Sequence, residues 1–115
     1  MPGKWKKEKL ESLLHTEAAR FIERNAELEE GMFATVTRVT LSSDSVHADV
    51  FVSLYPANKV GSFMNTLRPL SREFSKHLRH ALRMHTIPVI TFRLDDTELK
   101  REHIEQLLGD DQKNV

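Results

Sequence analysis

Val46, Ala48, Val50, Val52 and Leu54 alternate strictly with His47, Asp49, Phe51, Ser53 and Tyr55. A repeat of two residues sends the first set to one face of a β-strand and the second set to the other, so this segment reads as a strand with one face in a core. Phe33 to Leu41, rich in Thr and Val, reads as a second strand. Ser42-Ser43-Asp44-Ser45 between them is a hairpin turn, because short hydroxyl and carboxylate side chains bond their own backbone there.

Helical periodicities surround the hairpin. Leu10, Leu13, Leu14, Ala18, Phe21 and Ile22 define an amphipathic helix from about residue 5 to Asn25, whose apolar face needs a sheet to cover. Pro56-Ala57-Asn58 closes the alternating strand, and Val60, Phe63, Met64 and Leu67 open another helix. Pro69 interrupts it: the ring clashes with the preceding turn and the N–H is missing, so the helix is expected to kink over Pro69, Leu70 and Ser71 and restart. The restarted helix, residues 72–85, turns Phe74, Leu78, Ala81 and Leu82 to one side and ends at Pro88. Val89 to Leu94 is a third strand with Ile90, Phe92 and Leu94 on one face. Residues 98–108, with Leu99, Ile104, Leu107 and Leu108, read as a short last helix, and 109–115 as a flexible tail. The expected architecture is α/β (α+β): helix, strand, strand, helix, kink, helix, strand, with a three-stranded sheet covered by helices in one domain over 5–108.

Composition narrows the class. At 115 residues the chain is large enough for one core without staples. It is 39% hydrophobic and 30% charged, with no apolar run approaching a membrane span, so no membrane role is expected. The basic start Met1-Pro2-Gly3-Lys4-Trp5-Lys6-Lys7 runs into Glu8 and Glu11 rather than an apolar stretch, so no secretory signal is expected. The absence of cysteine excludes disulfides, thiol catalysis and thiolate metal sites, and fits a cytoplasmic protein.

The zero net charge conceals a partition. Residues 68–93 carry six Lys and Arg against Glu73 alone, a net of +5, whereas residues 94–115 carry seven acids against three bases, a net of −4. Arg72, Lys76, Arg79 and Arg83 fall at i, i+4, i+7 and i+11 on one helix stripe that no acid shares. Like charges at that spacing repel, and an ordinary solvated helix interleaves Glu with Lys. The stripe, with His80 and Arg68 beside it, points to an anionic partner, and phosphate of RNA is the anion that Arg and Lys most often meet. The plain alternative is a solvated face that binds nothing.

The element order is that of a type II KH domain, a fold that clamps single-stranded nucleic acid, although the GxxG signature of KH domains is missing from Arg68-Pro69-Leu70-Ser71-Arg72-Glu73. Two segments add a more specific resemblance: Val36-x-x-Val39-x-Leu41-Ser42-x-Asp44-x-x-x-Ala48-x-Val50-x-Val52-Ser53, and Leu82-Arg83-x-x-x-x-Pro88-x-x-x-Phe92-x-x-Asp95. In order and spacing they resemble the bacterial ribosome-binding factor A family over residues 8–108. The resemblance implies a non-enzymatic assembly factor, without cofactor or metal, that binds the immature small ribosomal subunit and its 16S-type ribosomal RNA late in maturation. It further implies a part in rRNA processing, importance in the cold, and a monomer in the cytoplasm. The chain departs from the family at the kink, where Leu70-Ser71-Arg72 stands in place of the usual Ala-x-Gly.

Other readings are weaker. Glu73, His77 and His80 adjoin on one helix but match no metal signature, and polarity flanking an RNA-binding stripe explains them more simply. His85 falls on the apolar side of the wheel. Asp44, Ser42, Ser43 and His47 lack any nucleophile elbow or phosphate loop. The runner-up functions are a general single-stranded nucleic-acid binder and a module that docks protein through Phe51 and Tyr55 or its acidic ends.

Overall fold

The computed structural model describes residues 3–84, 86–97, 104, 107 and 108, leaving aside the side chains of 3–5, 57 and 60. Its elements are α1 (Gly3–Asn25), β1 (Phe33–Leu41), β2 (His47–Tyr55), a 3-10 turn (Ala57–Lys59), α2 (Val60–Leu82) and β3 (Val89–Leu94). The sheet runs β1-β2-β3, with β2 antiparallel to β1 and parallel to β3. This is the α+β architecture expected, with the alternating strand at its centre.

Period-two burial holds along β2: Ala48, Val50 and Val52 are buried. Their cross-strand neighbours Leu41, Val39 and Val36 on β1, and Ile90 and Phe92 on β3, are buried on the same face. Leu14, Ala18, Phe21 and Ile22 of α1 and Phe63, Leu67, Phe74 and Leu78 of α2 close over that face. Three residues expected inward are exposed instead. Val46 precedes β2 in the turn, where its N–H is held by Asp44 Oδ1 at 3.1 Å. Leu13 lies a turn's width outside the buried stripe of α1, and Ala81 sits in the last turn of α2, past the edge of the core. The hairpin is built as its residues suggest: Ser42 Oγ donates to Asp44 Oδ1 at 2.6 Å and accepts from His47 N–H at 3.0 Å. The bond from Ser42 Oγ, and after it the one from Val46 N–H, hold the Asp44 carboxyl below its ordinary pKa.

The largest departure is at Pro69. The two helices expected on either side of it are one helix, α2, with Pro69 in its interior, so no second N-terminus exists at Leu70 or Ser71. Phe63, Leu67, half-buried Leu70, Phe74 and Leu78 stay in phase across the proline, and their burial requires a single helical register. Pro69 itself is exposed, so the Asn65 carbonyl it cannot pair lies on the wet side of the helix. Pro69→Ala is therefore expected to strengthen α2. Restoring the N–H and removing the ring should raise stability by about 1–2 kcal/mol, after allowing for the freer unfolded chain. Urea unfolding of the two proteins checks this, and a lower midpoint for the alanine variant would contradict it.

α2 also ends earlier than expected. Arg83 turns left-handed, with φ of 52°, and terminates the helix at Leu82, so Arg83 is a C-cap rather than a stripe residue. The chain is back at the sheet by Val89, whose N–H bonds the Val46 carbonyl at 2.7 Å. His85 lies outside the described residues, as do 109–115 and most of the expected last helix. Of that helix, Ile104, Leu107 and Leu108 are helical and exposed.

One contact ties the sheet across its middle strand. β1 carries a bulge between Val36 and Arg38, and Thr37, the extra residue, donates its hydroxyl to Asp95 Oδ2 beyond β3. Asp95 Oδ1 also accepts the Thr97 N–H at 3.0 Å. These bonds, Thr37's foremost, lower the Asp95 pKa to about 2 from an ordinary 3.8. A carboxyl depressed on folding stabilises fully above its unfolded value, and the contribution fades as pH falls through the folded one. Stability should therefore decline between about pH 4 and pH 2 in the parent and decline less in Asp95→Asn, by thermal melts at stepped pH. Equal slopes would mean that Asp95 contributes nothing to acid sensitivity.

Candidate nucleic-acid interface

Because α2 is unbroken, Arg68 joins the stripe. Arg68, Arg72, Lys76 and Arg79 stand at i, i+4, i+8 and i+11 along one exposed ridge, rising about 16 Å at 1.5 Å per residue. The continuity of α2 thus lengthens the basic face at its N-terminal end, while the loss of Arg83 shortens it at the other. Among the described residues no carboxylate pairs with Arg68, Arg72 or Arg79. Lys76 does have a neighbour: Glu73 lies 3.8 Å away, both side chains more than 60% exposed, a geometry of little energetic weight in water.

The ridge separates two grooves. On one side Ser71, Arg72, Ser75 and Arg79 face Ile87, Pro88, Val89 and Ile90, so two guanidinium groups overhang an apolar floor at the β3 edge of the sheet. On the other side Lys76, His77 and His80 face Glu17, Arg20 and Arg24 of α1. His80, expected as a flank residue, is exposed on this second groove. Of the three residues expected to form the kink, Ser71 lines the β3 groove and Leu70 the α1 groove, while Pro69 is exposed.

Sequence reasoning missed Arg20 and Arg24. The i,i+4 spacing of the two was visible, but Glu17 and Glu23 interleave with them along α1. Only the packing of α1 on α2 brings them opposite Lys76 and His80. His77, weighed as a metal ligand with Glu73 and His80, has another partner: its Nε2 lies 2.9 Å from Glu17 Oε2, and its ring stacks on Phe74 at 6.3 Å between centroids. It fastens α2 to α1.

The sheet face away from the helices differs in character. Arg38 lies 4.0 Å above the Phe51 ring, and Arg93 Nε is 2.9 Å from Asp49 Oδ1. This face pairs its own charges, whereas the ridge arginines have no carboxylate partner among the described residues. Tyr55 and its cross-strand neighbour Phe33 are exposed at the end of that face.

Helix–strand–strand–helix–strand with both helices on one face of a mixed three-stranded sheet, and a basic ridge along the second helix, defines an α+β module. The family model for "Ribosome-binding factor A" matches residues 6–108, and the chain belongs to that family. A ribosome-binding factor A of Mycoplasmopsis pulmonis is 31% identical over 94% of this chain and 95% of its own. The match to the Xylella fastidiosa relative, 33% identical, spans 61% of that protein's length. Among solved structures, the crystal structure of ribosome-binding factor A from Thermus thermophilus aligns with a TM-score of 0.65 at 26% identity, over 76% of this chain and 93% of that one. A homology model of the Thermus thermophilus factor, fitted into a cryo-EM map of a 30S–RbfA complex, aligns with a TM-score of 0.62 at 25% identity, over 76% and 92%.

Proposed function

We propose that this chain is a ribosome assembly factor that binds the immature small ribosomal subunit through its 16S-type ribosomal RNA, late in maturation and in connection with rRNA processing. It acts as a cytoplasmic monomer and performs no chemistry of its own. The observation that carries the reading is the ridge of Arg68, Arg72 and Arg79, in phase along one exposed helix face, with no carboxylate paired to them among the described residues. Phosphate contacts from such a ridge position an RNA strand, and the β3-edge groove, with its apolar floor of Ile87, Pro88 and Ile90 under Arg72 and Arg79, accepts bases beside it. Family membership and the fitted complex of the Thermus relative support the same partner.

Binding to single-stranded RNA should weaken with salt. Four contacts, from Arg68, Arg72, Lys76 and Arg79, give a log–log slope near about −3, since each contributes roughly 0.7. Fluorescence anisotropy across a salt series measures it. A slope near zero would favour the docking of a protein partner through Phe51 and Tyr55.

A further inference from the structure

We propose that the groove between α1 and α2 is a second nucleotide site, which receives one unstacked RNA nucleotide with its phosphate between Arg24 and His80. The inference rests on the RNA-binding reading above and extends it from a ridge to both sides of α2. The groove has a volume of about 450 Å³, within the range of small-ligand sites. Its walls carry cations from both helices, Arg20 and Arg24 from α1 and Lys76 from α2, with the His80 imidazole beside Lys76 on α2 as a hydrogen-bonding group. Arg24 and His80 have no ion pair or hydrogen bond among the described residues.

The floor is aromatic. Phe21 is buried, and the His77 ring stacks on Phe74 at an interplanar angle of 20° while its side chain stays 37% exposed. A flat, rigid, half-open ring beside an unpaired guanidinium group is the combination that holds a splayed RNA base by stacking and its phosphate by charge. Two carboxylates line the same groove and oppose an anion; Glu17, the one beside the His77 ring, is engaged, and Glu73 is exposed next to Lys76 at the solvent side. Glu17 binds His77 Nε2 at 2.9 Å and lies 3.9 Å from Arg20, and Glu73 lies 3.8 Å from Lys76. The groups left over, the Arg24 guanidinium from α1 and the His80 imidazole from α2, line the same groove as this aromatic floor. The β3-edge groove differs: its floor is aliphatic, and it has cations on one wall only.

The test uses the full chain and two probes, adenosine 5′-monophosphate and an eight-nucleotide single-stranded RNA. In ¹H–¹⁵N spectra, the mononucleotide should shift amides 20–25 and 73–80 and the His77 ring protons, and Arg24→Gln should suppress those shifts. Arg24→Gln and His80→Ala, both at exposed positions, should each weaken the RNA oligonucleotide by about three- to tenfold with unchanged melting curves. Arg24→Gln should also lower the salt slope by about 0.7. If the mononucleotide shifts neither segment, or shifts only residues 87–90, the groove is not a nucleotide site. If the Arg24 and His80 variants bind the RNA like the parent while Arg79→Glu does not, the groove is overturned and the ridge stands. If all three variants bind like the parent, both the groove and the RNA reading fall.

Discussion

Phe74→Ala should lower the stability of the protein by about 3–5 kcal/mol, a large part of what holds a domain of this size folded. Phe74 is fully buried in the middle of α2, where the helix crosses the sheet. Its ring meets Phe21 of α1 at 5.1 Å between centroids, Phe92 of β3 at 5.7 Å and His77 at 6.3 Å. It therefore joins α2 to both α1 and β3, and removing it leaves a cavity that neither neighbour can fill without moving away from the other. The loss should extend to the α1–α2 seam, because the His77 ring that bonds Glu17 rests on Phe74. Equilibrium urea unfolding gives the number, and a loss below about 1 kcal/mol would mean that the core is not closed around α2 as described.

Much of the fold was legible because it was written in short periods. The alternation through Val50 and Val52 fixed which face of β2 is buried, and the hydroxyls and carboxylate of residues 42–45 marked the hairpin. Val46 escaped that rule because local hydrogen bonding to Asp44 holds it in the turn. At Pro69 local chemistry and tertiary burial disagreed, and burial prevailed. Four fully buried side chains in one phase outweigh one missing hydrogen bond whose orphaned carbonyl faces water. At Arg83 the reverse happened: the helical pattern continued in sequence, but the return to β3 required the chain to leave the helix at a residue with no glycine to ease the turn.

The candidate site was legible only along one helix. Arg72, Lys76 and Arg79 share a stripe by arithmetic alone, and the structure leaves them exposed. Arg68 was visible as a nearby charge, but its place on the ridge depended on α2 being continuous. Arg20 and Arg24 carry no signal in a linear reading, since their alignment with Lys76 and His80 depends on how two helices pack, which residue spacing does not encode. The Thr37–Asp95 bond was equally hidden: it joins residues 58 apart across an intervening strand.

The second large effect is functional. Arg79 lies at the C-terminal end of the ridge and borders the β3-edge groove, exposed and without an ion pair among the described residues. Replacing it should cost the fold little, within about half a kcal/mol, the usual range for a surface position. Arg79→Glu removes one charge-assisted contact, commonly about 1.5–3 kcal/mol, and places a carboxylate against RNA phosphate. Affinity for the small subunit should fall by about tenfold or more. Arg79→Ala should fall less and lower the salt slope by about 0.7. The decisive measurement is co-sedimentation of Arg79→Glu with small ribosomal subunits at physiological salt, with melting curves to show that the variant is folded. A folded variant that stays in the supernatant while the parent pellets with the subunits is the expected result; a variant that pellets as completely as the parent would contradict the basic ridge as the ribosome-binding surface.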